Sequence, residues 1–301
     1  MTEERRFDGR VVVVTGAGRG LGRAYARLLA ARGAQVLVND LGGSMGGEGT
    51  DATPASEVVA EIVAAGGEAV ADTSDVTSPD GAGALVDAAV QTFGRLDALV
   101  NNAGIMRWAA FPDVDDESLR RHLDVHLGGS FHTARAAWPH LAGHGQGRIV
   151  MTTSAGMLGL PDNTAYAAAK GAVVGLTRSL ARAGAPVGIA VNAIAPAAWT
   201  RMAGGTDGGG ALEAAMAPEL VAPMVGLLAH ASCPVTGEIY AAGAGRFARL
   251  FVATTEGYLH DGPAPTIEDV AAHWDAVNDE TGYSVPADLL DWSAAFTRHL
   301  R

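Results

Sequence analysis

Four β-branched residues in a row, Val11 to Val14, form the first strongly apolar run of the chain. A short run with no polar member reads as a strand buried on both faces. A glycine-rich turn follows, and apolar positions then recur at helical spacing from about Leu21 to Arg32, closed by Gly33. Gln35 to Asn39 read as a second strand. The same alternation predicts helices over about 54–65, 79–93, 115–141, 165–183 and 219–229. It predicts further strands over 68–72, 98–101, 148–152, 188–193 and 237–241. About seven strands separated by helices predict an α/β fold, a Rossmann-type doubly wound parallel sheet.

Two stretches break the alternation. Residues 41–50 and 204–210 are rich in glycine and read as loops, with a mobile lid and an inert surface loop both open as readings. From about Phe247 the pattern stops. Thr266 is placed to cap a helix running to Val277, and Pro286 to open another carrying Leu289, Leu290, Trp292 and Phe296. The expected organisation is one catalytic domain over 1–245 and a C-terminal extension over 246–301, packed on that domain or on a subunit partner.

Composition narrows the function classes. Apolar residues make up 48% of the 301, enough for a sizeable core. A formal net charge of −12 disfavours nucleic acid and anionic membrane as partners. One cysteine, Cys233, excludes an internal disulfide and a cysteine-ligated zinc cluster, and fits a reducing compartment. Met1 to Phe7 lacks the apolar stretch of a signal peptide, and no apolar run approaches the ~20 residues of a membrane span. The expectation is a cytoplasmic protein. His140 and His144 have no carboxylate at metal-binding spacing, so no metal is expected.

The candidate chemistry lies at strand ends. Thr15-Gly16-Ala17-Gly18-Arg19-Gly20-Leu21-Gly22 joins a buried strand to a helix. In that context glycines let the backbone approach a pyrophosphate, and the helix N-terminus offers free N–H groups. Asp40 ends the second strand, where a carboxylate can accept hydrogen bonds from the adenosine ribose hydroxyls and repel a 2′-phosphate. Leu41, not a basic residue, follows it, so NAD is expected over NADP, although Arg19 could partner that phosphate. Tyr166 and Lys170 stand four residues apart on one helical face, and a neighbouring cation is expected to lower the phenol's pKa. Tyr166 could then exchange a proton with a substrate hydroxyl or carbonyl. Asp75 follows the third strand and could accept from the adenine amino group. Asn101-Asn102-Ala103-Gly104 ends the fourth strand, and Pro196 closes the sixth.

Through TGAGRGLG at 15–22, NNAG at 101–104 and YAAAK at 166–170, the sequence resembles the short-chain dehydrogenase/reductase family over residues of about 10 to 245. The resemblance implies hydride transfer between NAD and a secondary alcohol or ketone. It implies Tyr166 as general acid/base, Lys170 as a ribose ligand that lowers the Tyr166 pKa, and a serine after the fifth strand that orients the substrate oxygen. The implied cofactor site comprises Gly16, Arg19, Gly20, Leu21, Gly22, Asp40, Asp75, Val76, Asn102, Ala103, Gly104, Tyr166, Lys170 and Pro196. A narrower resemblance, through 38–43, 125–127, Ala222-Pro223 and the extension, is to the (3R)-hydroxyacyl-CoA dehydrogenase units of peroxisomal multifunctional β-oxidation enzymes.

Three positions depart from the family pattern. Thr153 stands thirteen residues before Tyr166 and Ser154 twelve before; Ser154 is favoured as the catalytic hydroxyl, with Thr153 the alternative. His126 replaces a relay asparagine, and reads equally as a proton relay or as a hydrogen-bonded core histidine. Pro196-Ala197 replaces Pro-Gly. A 3-hydroxyacyl-CoA is the favoured substrate, its phosphates met by Arg107, Arg201 or Arg246; a hydroxysteroid comes second, and a non-catalytic NAD(H)-sensing protein is the reading of another class. Trp108, Trp138 and Trp199 read as packing residues. The face around Ala168, Val173 and Leu176 suits a homodimer or homotetramer.

Overall fold

The computed structural model describes residues 4–200 and 210–300. Arg201 and the greater part of the 204–210 stretch lie outside them. Strands β1 (Val11–Thr15), β2 (Gln35–Asn39), β3 (Glu68–Asp72), β4 (Ala98–Asn101), β5 (Arg148–Thr152), β6 (Ala190–Pro196), β7 (Ile239–Gly243) and β8 (Arg246–Leu250) form one sheet in the order 3-2-1-4-5-6-7-8. The pairs from β3 through to β7 are parallel. The order reverses between β1 and β4, and in such a sheet ligands bind beyond the carboxyl ends at the reversal.

Helices α1 (Gly20–Ala31), α2 (Thr53–Ala64) and α8 (Ala222–Ala229) pack together on one face; α3 (Pro79–Phe93), α5 (Gly129–Ala142) and α6 (Thr164–Gly184) cover the other. All five residues of β1 are buried, which is why the sequence shows an unbroken apolar run there. Leu29 of α1 and Leu228 of α8 lie in the core cluster between sheet and helices. Each such side chain contributes roughly 1.5–3 kcal/mol by leaving water.

Several elements differ from expectation. An eighth strand, β8, extends the sheet; its largely exposed residues carry no buried-strand signature. The helix expected over 115–141 is three pieces: α4 (Asp116–His122), a π-helical turn at Leu123–Gly128, and α5. The helix expected from 219 is a 3₁₀ turn at Pro218–Leu220 followed by α8, because Pro223 in the first turn of α8 has no N–H to continue a preceding helix. Contrary to the hydropathy expectation, the helical stretch Ala211–Ala229, which begins with α7 (Ala211–Ala215), is long and apolar enough to cross a membrane by length and composition. It is interrupted at Pro218, and Val225, Leu228 and Ala229 belong to the core cluster.

The chain divides into two units, Met1–Arg249 and Leu250–Arg301. The second holds α9 (Ile267–Ala272), α10 (Trp274–Val277) and α11 (Leu289–Phe296). Thr266 and Asp269 form a reciprocal capping box for α9, and Asp288, not Pro286, caps α11. None of residues 251–300 is buried. Stacked ring pairs, Phe251 with Tyr283, Tyr258 with His273 and Trp292 with Phe296, supply its internal packing.

Candidate active site

At the β1–α1 turn the backbone must pass close to the end of β4. Gly16 has φ 61°, and a Cβ there would sit 2.8 Å from the Cα of Ala103, so only glycine fits. Asn102 seals the approach, its Nδ2 donating to the carbonyls of Thr15 and Gly16 at 3.0 Å each. The Thr15 hydroxyl oxygen accepts from the N–H groups of Asn102 and Ala103. Helix α1 begins without a side-chain cap, so its first N–H groups are left for an anion. Gly22 corrects the expected cofactor set. It is buried and does not line the cleft; a Cβ there would collide with the Gly16 carbonyl, so its part is to seat α1 against β1.

Asp40 is fixed by the same turn. One carboxylate oxygen accepts from the Gly18 N–H and the other from the Gly42 N–H, each at 2.8 Å. The glycine-rich stretch after it is folded back, not loose. Met45 O accepts from Met106 N–H, Gly47 O from Arg121, and Arg107 bonds both Gly46 O at 3.0 Å and the Glu48 carboxylate at 2.6 Å. Arg107 is thereby held by the 46–48 segment, with its Glu48 partner exposed. Asp75 is held by Thr77, whose N–H and hydroxyl both donate to one carboxylate oxygen.

The other end of the cleft is built by α6. Asn163 caps the helix, its side-chain oxygen accepting from the Tyr166 N–H at 3.1 Å. Tyr166 and Lys170 are both buried, with Lys170 Nζ 5.6 Å from the phenol ring centre and donating to Thr152 O at 2.8 Å. Thr153 and Ser154 point apart. The Thr153 hydroxyl donates to the Lys170 carbonyl at 2.7 Å. The Ser154 hydroxyl accepts from the Gly156 N–H at 3.0 Å and lines the cleft with Tyr166.

Burial governs the electrostatics. It pushes the Tyr166 phenol above its ordinary value, against the lowering influence of the Ser154 hydroxyl. It pushes the Lys170 ammonium down to about 7. The expected depression of the phenol by its ammonium neighbour is thus reversed in the protein by itself, because desolvation acts on both groups. His126 sits in the π-helical turn, its Nε2 2.9 Å from Ile105 O and its ring edge-on to Tyr166 with centres 5.4 Å apart. Burial and the neighbouring Lys170 hold it well below the ordinary histidine value, so the ring is neutral. Its Nε2 faces both the carbonyl and the N–H of Ile105, while Nδ1 is buried and has no hydrogen-bond partner among the described residues.

These groups meet in one cleft of about 550 Å³. It is lined by Gly16, Arg19, Gly20, Leu21, Asp40, Asp75, Val76, Asn102, Ala103, Gly104, His126, Ser154, Tyr166, Lys170 and Pro196, which is every sequence-expected site residue except Gly22. The uncapped helix end, the glycine cradle and the anchored carboxylate fit a dinucleotide lying from α1 to Tyr166. Sequence reasoning missed the wall at Ser44, Met45 and Gly47, the apolar lining at Met106 and Leu160, and Trp108, which is half exposed and lines the cleft instead of packing in the core. It also missed His122, fully buried and stacked on His126 with centres 5.9 Å apart, and Asn163. Asn163 had a legible signal, a capping residue three positions before Tyr166.

Comparison with known proteins agrees with this geometry. The family model described as short chain dehydrogenase matches residues 10–206. A short-chain type dehydrogenase/reductase of Mycobacterium tuberculosis is 43% identical over 277 residues, 92% of this chain and 96% of the relative. Peroxisomal multifunctional enzyme type 2 of mouse is 44% identical over 292 residues, 96% of this chain but 39% of that protein. The chain thus spans well under half of the multifunctional relative. Among solved structures, a short chain dehydrogenase from Mycobacterium avium superposes with TM-score 0.79 at 40% identity, covering 91% of this chain and 98% of that one. A 7α-hydroxysteroid dehydrogenase complexed with NADH and 7-oxo glycochenodeoxycholic acid superposes with TM-score 0.71 at 30% identity, covering 80% of this chain and 95% of that one. The chain belongs to the short-chain dehydrogenase/reductase family, and is an oxidoreductase acting on CH–OH donors.

Proposed function

We propose that the protein is an NAD-dependent dehydrogenase that interconverts the secondary alcohol and ketone of a 3-hydroxyacyl thioester. The observation that carries the reading is the meeting of Ser154, Tyr166 and Lys170 in the cleft whose other end holds Asp40 and the uncapped start of α1. NAD supplies the hydride acceptor when bound. Gly16 to Leu21 would hold its pyrophosphate, Asp40 its adenosine ribose, and Lys170 its nicotinamide ribose. Asp40, followed by Leu41, would repel a 2′-phosphate and favours NAD over NADP.

Ser154 orients the substrate oxygen and Tyr166 takes its proton in oxidation, or returns it in reduction. The placement of the Ser154 hydroxyl against Tyr166, with Thr153 turned to the Lys170 carbonyl, supports Ser154 in that role. The unpartnered Nδ1 of His126, in a ring edge-on to Tyr166, supports a relay of protons in place of a purely structural ring. The apolar lining at Met106, Trp108 and Leu160 supports a lipophilic substrate, and the similarity to multifunctional enzyme type 2 supports an acyl thioester in particular. Trp274, Leu289 and Leu290 of the extension are exposed, which supports assembly with a second copy. On α6, Val173 faces the core, leaving Ala168 and the half-buried Leu176 of the expected face for such a contact.

The test is NADH formation across a panel of 3-hydroxyacyl-CoAs and hydroxysteroids, with kcat/KM compared for NAD and NADP. Turnover of 3-hydroxyacyl-CoAs with NAD is expected. Turnover of hydroxysteroids alone would replace the substrate class, a preference for NADP would overturn the part given to Asp40, and tight NADH binding without turnover would favour the sensing protein.

A further inference from the structure

Asn163 does more than cap a helix. It is fully buried, and its side-chain oxygen accepts from the Tyr166 N–H. Its Nδ2 donates to the Arg107 carbonyl at 2.9 Å and to the Met106 sulfur, also at 2.9 Å. Capping alone needs only an acceptor, which serine or aspartate supplies as well. An amide is required only where acceptor and donor must work together.

The segment that Asn163 grips leads away from Tyr166. The Arg107 N–H donates to His122 Nε2 at 3.3 Å, and the His122 ring lies edge-on to Tyr166 with centres 6.2 Å apart. The Arg107 guanidinium holds Gly46 O and Glu48, and the Met106 N–H holds Met45 O. Ser44, Met45 and Gly47 in turn line the cleft. An unbroken series of hydrogen bonds therefore joins the wall of the dinucleotide cleft to the first turn of the helix carrying Tyr166 and Lys170.

We propose that Asn163 and Arg107 are positioning residues: through the 105–107 segment they tie the seating of Tyr166 to the 44–48 wall of the cofactor cleft. This rests on the reading of Tyr166 as the proton-transferring group. A helix shifts as a unit, so release at its first turn displaces Tyr166, and misplacement of a reacting group by ~1 Å can cost about 10²-fold in rate.

Asn163→Ser keeps an acceptor for the Tyr166 N–H and removes the donor to Arg107. With the whole chain, the expected result is a kcat about 10- to 100-fold lower, a KM for NAD within about twofold of wild type, and a displaced kcat–pH profile. Arg107→Met cuts the series at its other end, where the partner Glu48 is exposed. It is expected to lower kcat in the same direction, about 3- to 10-fold, and to raise the KM for NAD as the wall loosens. An Asn163→Ser enzyme with kcat and pH profile like wild type overturns the proposal. Should Asn163→Ser fail to fold, an Arg107→Met enzyme with unaltered kcat overturns it. Tyr166→Phe separates the two readings: a fully active Tyr166→Phe enzyme removes the proposed function, whereas an inactive one beside a fully active Asn163→Ser enzyme removes only the link.

Discussion

Replacing Lys170 by methionine keeps the aliphatic stem and removes the amine. Lys170 is buried and donates to the Thr152 carbonyl, and burial lowers its ammonium from 10.5 to about 7. Between those values the unfolded chain binds one proton that the folded chain does not. Stability therefore rises with pH across that window, by about 1.4 kcal/mol per unit. Below pH 7 the full cost stands; the gap of 10.5 − 7 = 3.5 units makes it about 5 kcal/mol. Above 10.5 it is gone. Wild type should thus gain roughly 2 kcal/mol between about pH 7 and about pH 9, since Lys170 is still half charged at the lower value, and Lys170→Met should lack that gain. The neighbours leave the comparison clean. His126 lies well below its ordinary value and is neutral throughout, while Tyr166, raised by burial, keeps its proton. The assay is urea unfolding of both proteins at the two pH values, with equal m-values required. Gains that agree within about 0.5 kcal/mol, the accuracy expected of such differences, would refute the reasoning and mean that Lys170 titrates as an ordinary exposed lysine.

Other substitutions separate packing from chemistry. Tyr25 is fully buried with its hydroxyl unpartnered among the described residues, so Tyr25→Phe should raise stability by about 1 kcal/mol in urea titration, and a loss of that size would reveal a partner for the hydroxyl. Gly22→Ala would place a methyl against the Gly16 carbonyl and 2.6 Å from Asn102 Nδ2. It should cost several kcal/mol and abolish NADH binding measured by fluorescence, because α1 could no longer seat on β1. Ser154→Ala should lower kcat/KM by at least about 10²-fold with little change in the unfolding midpoint. Thr153→Ala should do the reverse, losing stability through the freed Lys170 carbonyl; an inactive but stable Thr153→Ala enzyme would reverse the assignment.

The strands were the most legible part of the chain. The expected bounds of β2, β3, β4 and β5 coincide with the observed ones; for the inner strands β2, β4 and β5 the reason is an apolar run buried on both faces, while the edge strand β3 is bounded by its own Glu68 and Asp72. The glycine turn, Asp40, the 101–104 segment and the Tyr166–Lys170 pair were legible for a related reason. All but the Tyr166–Lys170 pair follow a strand closely, so the fold alone delivers them to one rim; the pair is carried there by α6. The π-helical turn was not legible, since one added residue in a helix of that length barely disturbs the apolar spacing, yet it sets His126 beside Tyr166. Nor was the order in residues 41–50: its bonds come from Arg107 and Arg121, more than fifty residues away.

Depth was the property the sequence concealed most, and the catalytic pair shows why it matters. A spacing of four residues places a phenol and an ammonium on one face, and at the surface the cation would favour the phenolate. Buried, both groups shift toward their neutral forms. The folded chain thus holds a protonated phenol beside an amine that titrates near neutrality. An ammonium at about 7 is charged in only part of the population at physiological pH, so small changes in its surroundings change the charge that Tyr166 faces. A further hydrogen-bond acceptor beside Lys170, added to the Thr152 carbonyl it already meets, would favour the ammonium and through it the phenolate.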